Sequence, residues 1–286
     1  MTSTFTIGAG TSDPIEVRRL GYGAMRLTGP GVWGNPADVE HARAVLRQVV
    51  EHDVNFIDTA DSYGPATNEE LIASTLRPYG ERVIATKAGF TRQGPNRWTA
   101  LGDPAYLEQC LEMSLRRLKV EAIDLWQLHR VDPRYPLADQ LGVFVEAQKA
   151  GKVRHIGLSE VTEEQLAEAV EIAPIATVQN LYNLTNRRSE GVLQACEAAG
   201  IGFIPWYPVG EGQLAVGEAL DAMSASTGYA KSQLALAWLL RRSPVVLPIP
   251  GTASLAHLSE NCAAAAVELD DETWQALEGV SRVAGE

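Results

Sequence analysis

Four polar side chains in the first half of the chain could do acid–base chemistry together: Asp58, Tyr63, Lys87 and His129. Reduction of a carbonyl by hydride transfer builds negative charge on oxygen, which must then take a proton. Tyrosine, with an ordinary pKa of about 10, is a poor acid at neutral pH. A lysine ammonium beside it favours the phenolate and is expected to lower that pKa. An aspartate would hold the lysine charged and oriented. A histidine would donate a hydrogen bond to the carbonyl oxygen and stabilise charge as it develops. Taken singly, each residue has a plainer reading. A strand-end lysine is usually a solvated rim residue, and a tyrosine before Gly64-Pro65 usually packs. Asp58 could cap its loop through an Asx-turn. His129, like His41, His52 and His155, could be a hydrogen-bonded histidine without chemistry. The joint occurrence at successive strand ends is what favours a site.

The elements that must position these groups alternate. Residues 55–64, Asn-Phe-Ile-Asp-Thr-Ala-Asp-Ser-Tyr-Gly, open as a short apolar strand that ends on Asp58 and breaks into a loop holding Tyr63. A strand over 82–87 ends on Lys87, and one over 123–129 ends on His129. Further strands are expected at 20–25, 153–159, 176–180, 201–206 and 245–249. Helices are expected between them: 36–52 with Pro36 in its first turn, a stretch ending near 76, 103–118 with Asp103 as N-cap, and 137–150 stopped by Gly151. Others follow at 162 onward, 188–199, 215–226 and 231–241, with extra helices at 252–265 and 271–280. Residues 89–102, including Trp98, read as a long loop, and the first 19 residues as a hairpin turning at Asp13-Pro14. Eight short, apolar strands separated by helices predict an α/β fold: a single (β/α)8 TIM barrel spanning residues 1–286 as one domain. The carboxyl ends of its strands would then converge on one mouth. No G-x-G-x-x-G occurs at a strand–helix junction, which argues against a doubly wound dinucleotide fold.

The chain has 286 residues, 45% of them hydrophobic, enough for a large core, and a net charge of -12. That acidity argues against nucleic acid and anionic membranes as partners and suits an ordinary cytoplasmic protein. No apolar run is long enough to span a bilayer, and the N-terminus lacks the basic and apolar regions of a signal peptide. Cys110, Cys196 and Cys262 are far apart and read as buried thiols, and no CxxC or HExxH pattern suggests a metal. No stretch reads as an obligate interface, which suits a monomer and leaves the oligomeric state open.

Over essentially its whole length the sequence resembles the aldo-keto reductases. The motifs that carry the resemblance are Gly21-Tyr22-Gly23-Ala24-Met25, the 55–64 stretch, Lys87, Leu128-His129, Ile156-Gly157-Leu158-Ser159, residues 179–183, Ile249-Pro250-Gly251-Thr252 and Glu260-Asn261. The resemblance implies that Asp58, Tyr63, Lys87 and His129 form a catalytic tetrad. It also implies that NADP(H), or less often NAD(H), binds extended across the barrel mouth. Gly23, Ala24, Met25 and Asp58 would border the nucleotide, and Ser159 and Gln179, joined by Asn180 or its neighbourhood, would hold its carboxamide. Trp206 would stack on the nicotinamide ring. The loop containing Tyr207, Pro208, Gly212 and Leu214 would cover the pyrophosphate. Gly251, Thr252, Ser254 and His257 would meet the 2′-phosphate end, and Glu260 and Asn261 the adenine.

The sequence departs from the family in three places. Glu160 follows Ser159 where the family usually has Asn, which would either alter contacts near the carboxamide or simply point outward. Gly251 and His257 stand where relatives carry cations, and Trp206-Tyr207-Pro208 replaces the commoner Tyr-Ser-Pro. The closest subgroup resemblance is to bacterial reductases that include a pyridoxal reductase. This implies a small-molecule carbonyl substrate, with pyridoxal or another aromatic aldehyde as the candidate, in a pocket lined by Trp33, Trp98, Tyr63 and His129. Arg92, Arg97 or Arg130 could attract an anionic substrate or simply be solvated. Two other readings remain open: a barrel lyase with Lys87 as a Schiff-base nucleophile, and a nucleotide-sensing partner protein like the potassium-channel β-subunits.

Overall fold

The computed structural model describes residues 3–210 and 218–280. In chain order, β1 (Thr4–Ile7) and β2 (Ile15–Arg18) form an antiparallel hairpin. Then come β3 (Tyr22–Gly23), α1 (Val39–Glu51), β4 (Phe56–Asp58), α2 (Thr67–Leu76) and β5 (Val83–Ala88). A second hairpin follows, β6 (Phe90–Gly94) with β7 (Arg97–Ala100). Next are α3 (Pro104–Leu118), β8 (Ile123–Leu128), α4 (Leu137–Lys149), β9 (Val153–Ser159), α5 (Glu163–Ile172), β10 (Ile175–Leu181), α6 (Glu190–Ala199) and β11 (Gly202–Trp206). The described chain ends with α7 (Glu218–Thr227), α8 (Lys231–Arg242), α9 (Leu255–Ala263) and α10 (Asp271–Val280).

Seven strands form one parallel sheet in the order β11-β10-β9-β8-β5-β4-β3. The eighth stave, residues 245–249, is not the regular strand the sequence suggests. Pro248 and Pro250 have no N–H to give a ladder, so the segment pairs regularly with β11 only around Phe203 and Val246. It still closes the barrel. Phe203 N–H donates to Val245 O (2.8 Å), Leu247 N–H to Phe203 O (2.7 Å), and Gly21 N–H to Pro248 O (2.9 Å) on the β3 side. Backbone meets backbone here: a Cβ on Gly23 would sit 2.8 Å from Ile249 O, and one on Gly251 2.8 Å from Gly23 O.

The period of two along each strand sorts side chains between the inside and the outside of the barrel. Ile57, Ile84, Trp126, Ile156, Leu158, Val178 and Phe203 belong to the outer core beneath the helices. Phe56, Val83, Ala85, Leu125, Ile204 and Leu247 fill the inner core, and Ile7, Ile15 and Val17 of the first hairpin plug its lower end. Two residues above Phe56, Ala85, Leu125 and Ile204 stand Asp58, Lys87, Gln127 and Trp206 on the same strands.

Helix signals in the sequence are largely obeyed. Asp103 caps α3 through Tyr106 N–H, and Thr162 with Gln165 forms a capping box on α5. Two further expectations need correction. α1 starts at Val39 with Asp38 as its N-cap, so Pro36 lies before the helix. The 89–102 segment is the β6–β7 hairpin rather than an irregular loop, held by Thr91↔Thr99 and Arg92↔Trp98 pairing.

Candidate active site

The four groups named from the sequence meet at the carboxyl ends of β4, β5 and β8. Lys87 is fully buried, and its Nζ donates to Asp58 Oδ1 (2.5 Å), Thr59 O (2.9 Å) and Tyr63 Oη (3.3 Å). Asp58 Oδ2 accepts from two amides, Gln127 Nε2 (3.1 Å) and Gln179 Nε2 (3.0 Å). The His129 ring lies edge-on to Tyr63, with centroids 5.8 Å apart. Its Nδ1 is 3.4 Å from Ser62 Oγ. When that hydroxyl donates, the ring proton sits on Nε2.

Burial sets the electrostatics. It opposes the Lys87 ammonium, but the Asp58 carboxylate and the Tyr63 phenol outweigh it, and the lysine pKa rises above its ordinary value. Burial also pushes the Tyr63 phenol above its ordinary value; Lys87 pulls it down, but not far enough. The expected net lowering by Lys87 is therefore not what the site shows. Tyr63 therefore holds its proton at neutral pH. Burial, Lys87, Arg130 and Arg92 all disfavour the imidazolium, so His129 is neutral and can donate without carrying charge. A lysine ion-paired with Asp58 and with its pKa raised is a poor amine nucleophile, which speaks against the Schiff-base reading.

A cavity of about 510 Å³ opens above these groups, within the range of small-molecule sites. It brings together Asp58, Tyr63 and His129 with Ser159, Gln179, Trp206, Tyr207, Pro208, Trp98, Gly23, Met25 and Gly251. Other expected contacts fall elsewhere. Ala24 is buried beside the cavity, and its carbonyl accepts from Asn68 Nδ2 (3.0 Å). Asn180 spends its amide on Val161 N and O, so it faces away from any carboxamide. Trp33 is exposed and outside the lining, flanking Arg92. Thr252, Ser254, His257, Glu260 and Asn261 are not in the lining either; Ser254 caps α9 through His257 N–H, and Glu260 accepts from Ser232. Gly212 and Leu214 lie outside the described residues.

Several participants were missed. Gln127 shares Asp58 with Gln179 and is as buried as the lysine; it ends an apolar strand at the inward parity of Leu125, a signal the sequence did offer. Phe90 packs on His129 (centroids 4.6 Å apart) and on Trp98 (5.4 Å). Of the arginines, Arg92 is a structural clasp. It stacks on Trp98 at 3.5 Å and donates to Val32 O, Ser62 O and Gly31 O. Arg130 lines the cavity and donates to His129 O (2.6 Å) and Ser159 Oγ (3.1 Å). Arg26 lines it beside Gly251, where a Cβ would lie 3.7 Å from Arg26 Cγ. Two of the three cysteines are buried as expected, and Cys262 is only partly so. No helix among the described residues is long and apolar enough to cross a membrane.

A parallel α/β barrel with an acid–base cluster under a cavity at its carboxyl end defines a class of barrel enzyme. The sequence model of the aldo/keto reductase family matches residues 19–282. The chain belongs to that family and is an oxidoreductase. It is 51% identical over 263 residues to an uncharacterized oxidoreductase of Schizosaccharomyces pombe, a match covering 92% of this chain and 86% of that one. It is 41% identical over 288 residues to pyridoxine 4-dehydrogenase of Escherichia coli K12, covering 98% and 99% of the two chains. The solved aldo/keto reductase of Klebsiella pneumoniae in complex with NADP and acetate is similar with a TM-score of 0.81 and 26% identity, covering 98% of this chain and 96% of that one.

Proposed function

We propose that this chain reduces the carbonyl of a small aldehyde to an alcohol with a nicotinamide dinucleotide, NADP(H) ahead of NAD(H), and that pyridoxal or another aromatic aldehyde is its substrate. One observation carries the reading: a phenol, Tyr63, held 3.3 Å from Lys87, which pairs with Asp58, beneath a cavity that also holds His129.

The cavity suits the cofactor. Gln179 gives its amide nitrogen to Asp58 while its carbonyl oxygen has no partner among the described residues, an acceptor suited to a carboxamide NH2. Ser159 Oγ and the indole of Trp206 lie in the same lining. Arg26 places a cation beside Gly251, where the sequence alone left the 2′-phosphate end short of charge. Nicotinamide nucleotide bound here supplies the hydride. Tyr63 supplies the proton to the carbonyl oxygen, and the Lys87 charge stabilises the phenolate that remains. Neutral His129 donates to the same oxygen, which orients the carbonyl. Phe90 and Trp98 form an apolar, aromatic wall beside Tyr63 and His129, which suits a flat aromatic aldehyde. The relative at 41% identity is named for pyridoxine, the alcohol that reduction of pyridoxal would give.

The test is consumption of NADPH and of NADH with pyridoxal and a panel of simple aldehydes, for the wild type and Tyr63→Phe. Turnover with pyridoxal, faster with NADPH, should fall on the order of 10²–10⁴-fold in the variant, while nucleotide still binds. Near-normal turnover in Tyr63→Phe would overturn the proton-donor role. Nucleotide binding without reduction of any carbonyl would overturn the reaction.

A further inference from the structure

Glu160 stands one residue past Ser159, where β9 ends, with a φ of 54° in the left-handed region. Such a conformation is uncommon for a side chain with a Cβ and is held only where surrounding contacts fix it. The contacts are explicit. Oε1 accepts from Leu181 N–H (2.6 Å) and from the indole Nε1–H of Trp206 (2.7 Å), and Oε2 pairs with Arg188 (2.5 Å). Leu181 ends β10 and Trp206 ends β11, and the two are register partners. One carboxylate therefore ties three consecutive strand ends together at the cavity rim. Of its two outcomes foreseen from the sequence, pointing outward is excluded: the side chain reaches across to the indole.

An indole has one donor and no acceptor, and with that donor satisfied by a charged oxygen its rotamer is held. Tyr207, directly after it, is also left-handed (φ 61°) and packs edge-on against the indole with centroids 5.5 Å apart. The plane of the Trp206 indole, which lines the cavity, is thus set from its N–H edge by Glu160 and from its flank by Tyr207.

We propose that Glu160 is a positioning residue for the nicotinamide nucleotide: it acts through Trp206, by fixing the indole plane against which the nicotinamide packs, without touching the nucleotide. This rests on the proposed function, because it requires that the nucleotide bind in this cavity.

The test is titration of the purified full-length protein with NADPH, followed by tryptophan fluorescence and by calorimetry, in a double-variant cycle of Glu160→Gly and Trp206→Phe. Glycine suits the left-handed φ, so Glu160→Gly removes the carboxylate while easing the backbone. Glu160→Gln retains an oxygen that accepts from the indole. Glu160→Gly should weaken NADPH binding on the order of tenfold, the scale of one lost charge-assisted hydrogen bond, and should diminish the part of the quenching that Trp206→Phe abolishes. Glu160→Gln should stay within about threefold of the wild type. In the Trp206→Phe background, Glu160→Gly should have little further effect. Equal affinity in Glu160→Gly and wild type, or the same loss with and without Trp206, would overturn the positioning role while leaving the reductase reading standing. No NADPH binding by the wild type would overturn both.

Discussion

The two ends of the barrel interior are built from the same strands, two residues apart, and differ in almost every physical respect. At the lower end Phe56, Leu125, Ile204 and Leu247 pack against the plug of Ile7, Ile15 and Val17. One titratable side chain stands there, His155, the register partner of Leu125, buried with its Nε2 2.8 Å from Asp13 O and its pKa lowered by burial. The favourable term is apolar burial, about 1.5–3 kcal/mol for each large side chain. At the upper end Asp58, Lys87, Gln127 and Gln179 are just as buried, but each is held by named hydrogen bonds. A buried ion pair contributes little net stability against an apolar replacement, whereas breaking it from one side is severe. The upper end therefore gives up packing for a charge that a phenol can use, and the lower end supports it.

Replacement of one upper group should have the largest effect. Lys87→Met leaves the Asp58 carboxylate buried without its cation, a change of about 3–5 kcal/mol in stability. It also removes the charge beside Tyr63, so turnover should fall with it. Asp58→Asn/Lys87→Met, which removes both charges, should recover much of the stability and none of the turnover. Urea unfolding of both variants measures the first, and aldehyde reduction the second. A double variant as unstable as the single one would show that the pair stabilises the barrel in its own right.

The lower end should give the opposite split. Leu125→Ala removes inner packing one parity step below Gln127 and should cost about 2–5 kcal/mol. Turnover per folded molecule, at a temperature where the variant is folded, should match the wild type. A comparable fall in kcat would mean that the two ends are mechanically coupled, and the contrast between them would fail.

The same parity explains what the sequence made legible. Short apolar strands ending on Asp58, Lys87 and His129 disclosed both the barrel and its mouth, because a parallel strand buried on both faces leaves its polar end conspicuous. Gln127 was overlooked, since an amide inside an apolar strand reads as ordinary until Asp58 is seen to need a second donor. The eighth stave looked like a strand because Val245, Val246 and Leu247 are β-formers, and its prolines decided otherwise. The 89–102 hairpin was invisible because its residues are polar and mixed; what holds it is Arg92, donating to carbonyls 30 and more residues away in sequence. The direction of the Tyr63 shift needed three dimensions, since one neighbouring lysine is countered by burial that only the fold supplies.

The upper end should also carry a pH dependence. Asp61, in the loop between Asp58 and Tyr63, is buried with Oδ1 unpartnered, and burial, aided by Glu69, raises its pKa to about 7. The unfolded carboxyl titrates at about 3.9. Between these values the folded protein binds more protons than the unfolded chain, so this group's contribution to stability falls as pH rises from about 4 to 7 and is then constant. Asp61→Asn should therefore be more stable than wild type by a few kcal/mol on the order set by that shift at pH 8, and by much less at pH 4. Denaturant midpoints at the two pH values decide it, and an equal gain at both would remove the carboxyl's ionisation as the cause.

The smallest effect is expected at the rim of the lower end, where charges do occur but are partly exposed. Arg154 donates to both oxygens of Asp13 (2.6 and 2.7 Å) and to Asp124 Oδ1 (2.8 Å), tying the turn of the first hairpin to β8 and β9. The geometry is as good as that of Asp58 with Lys87, yet the Asp13 side chain is 56% exposed. Water and salt screen such a pair, and ordering the arginine opposes what remains. Arg154→Gln should cost less than about 1 kcal/mol, and the difference from wild type should shrink as sodium chloride is raised. A loss of several kcal/mol that is insensitive to salt would mean that the plug is fastened by this ion pair rather than by Ile7, Ile15 and Val17, and the lower end would then share the electrostatic character that sets the upper end apart.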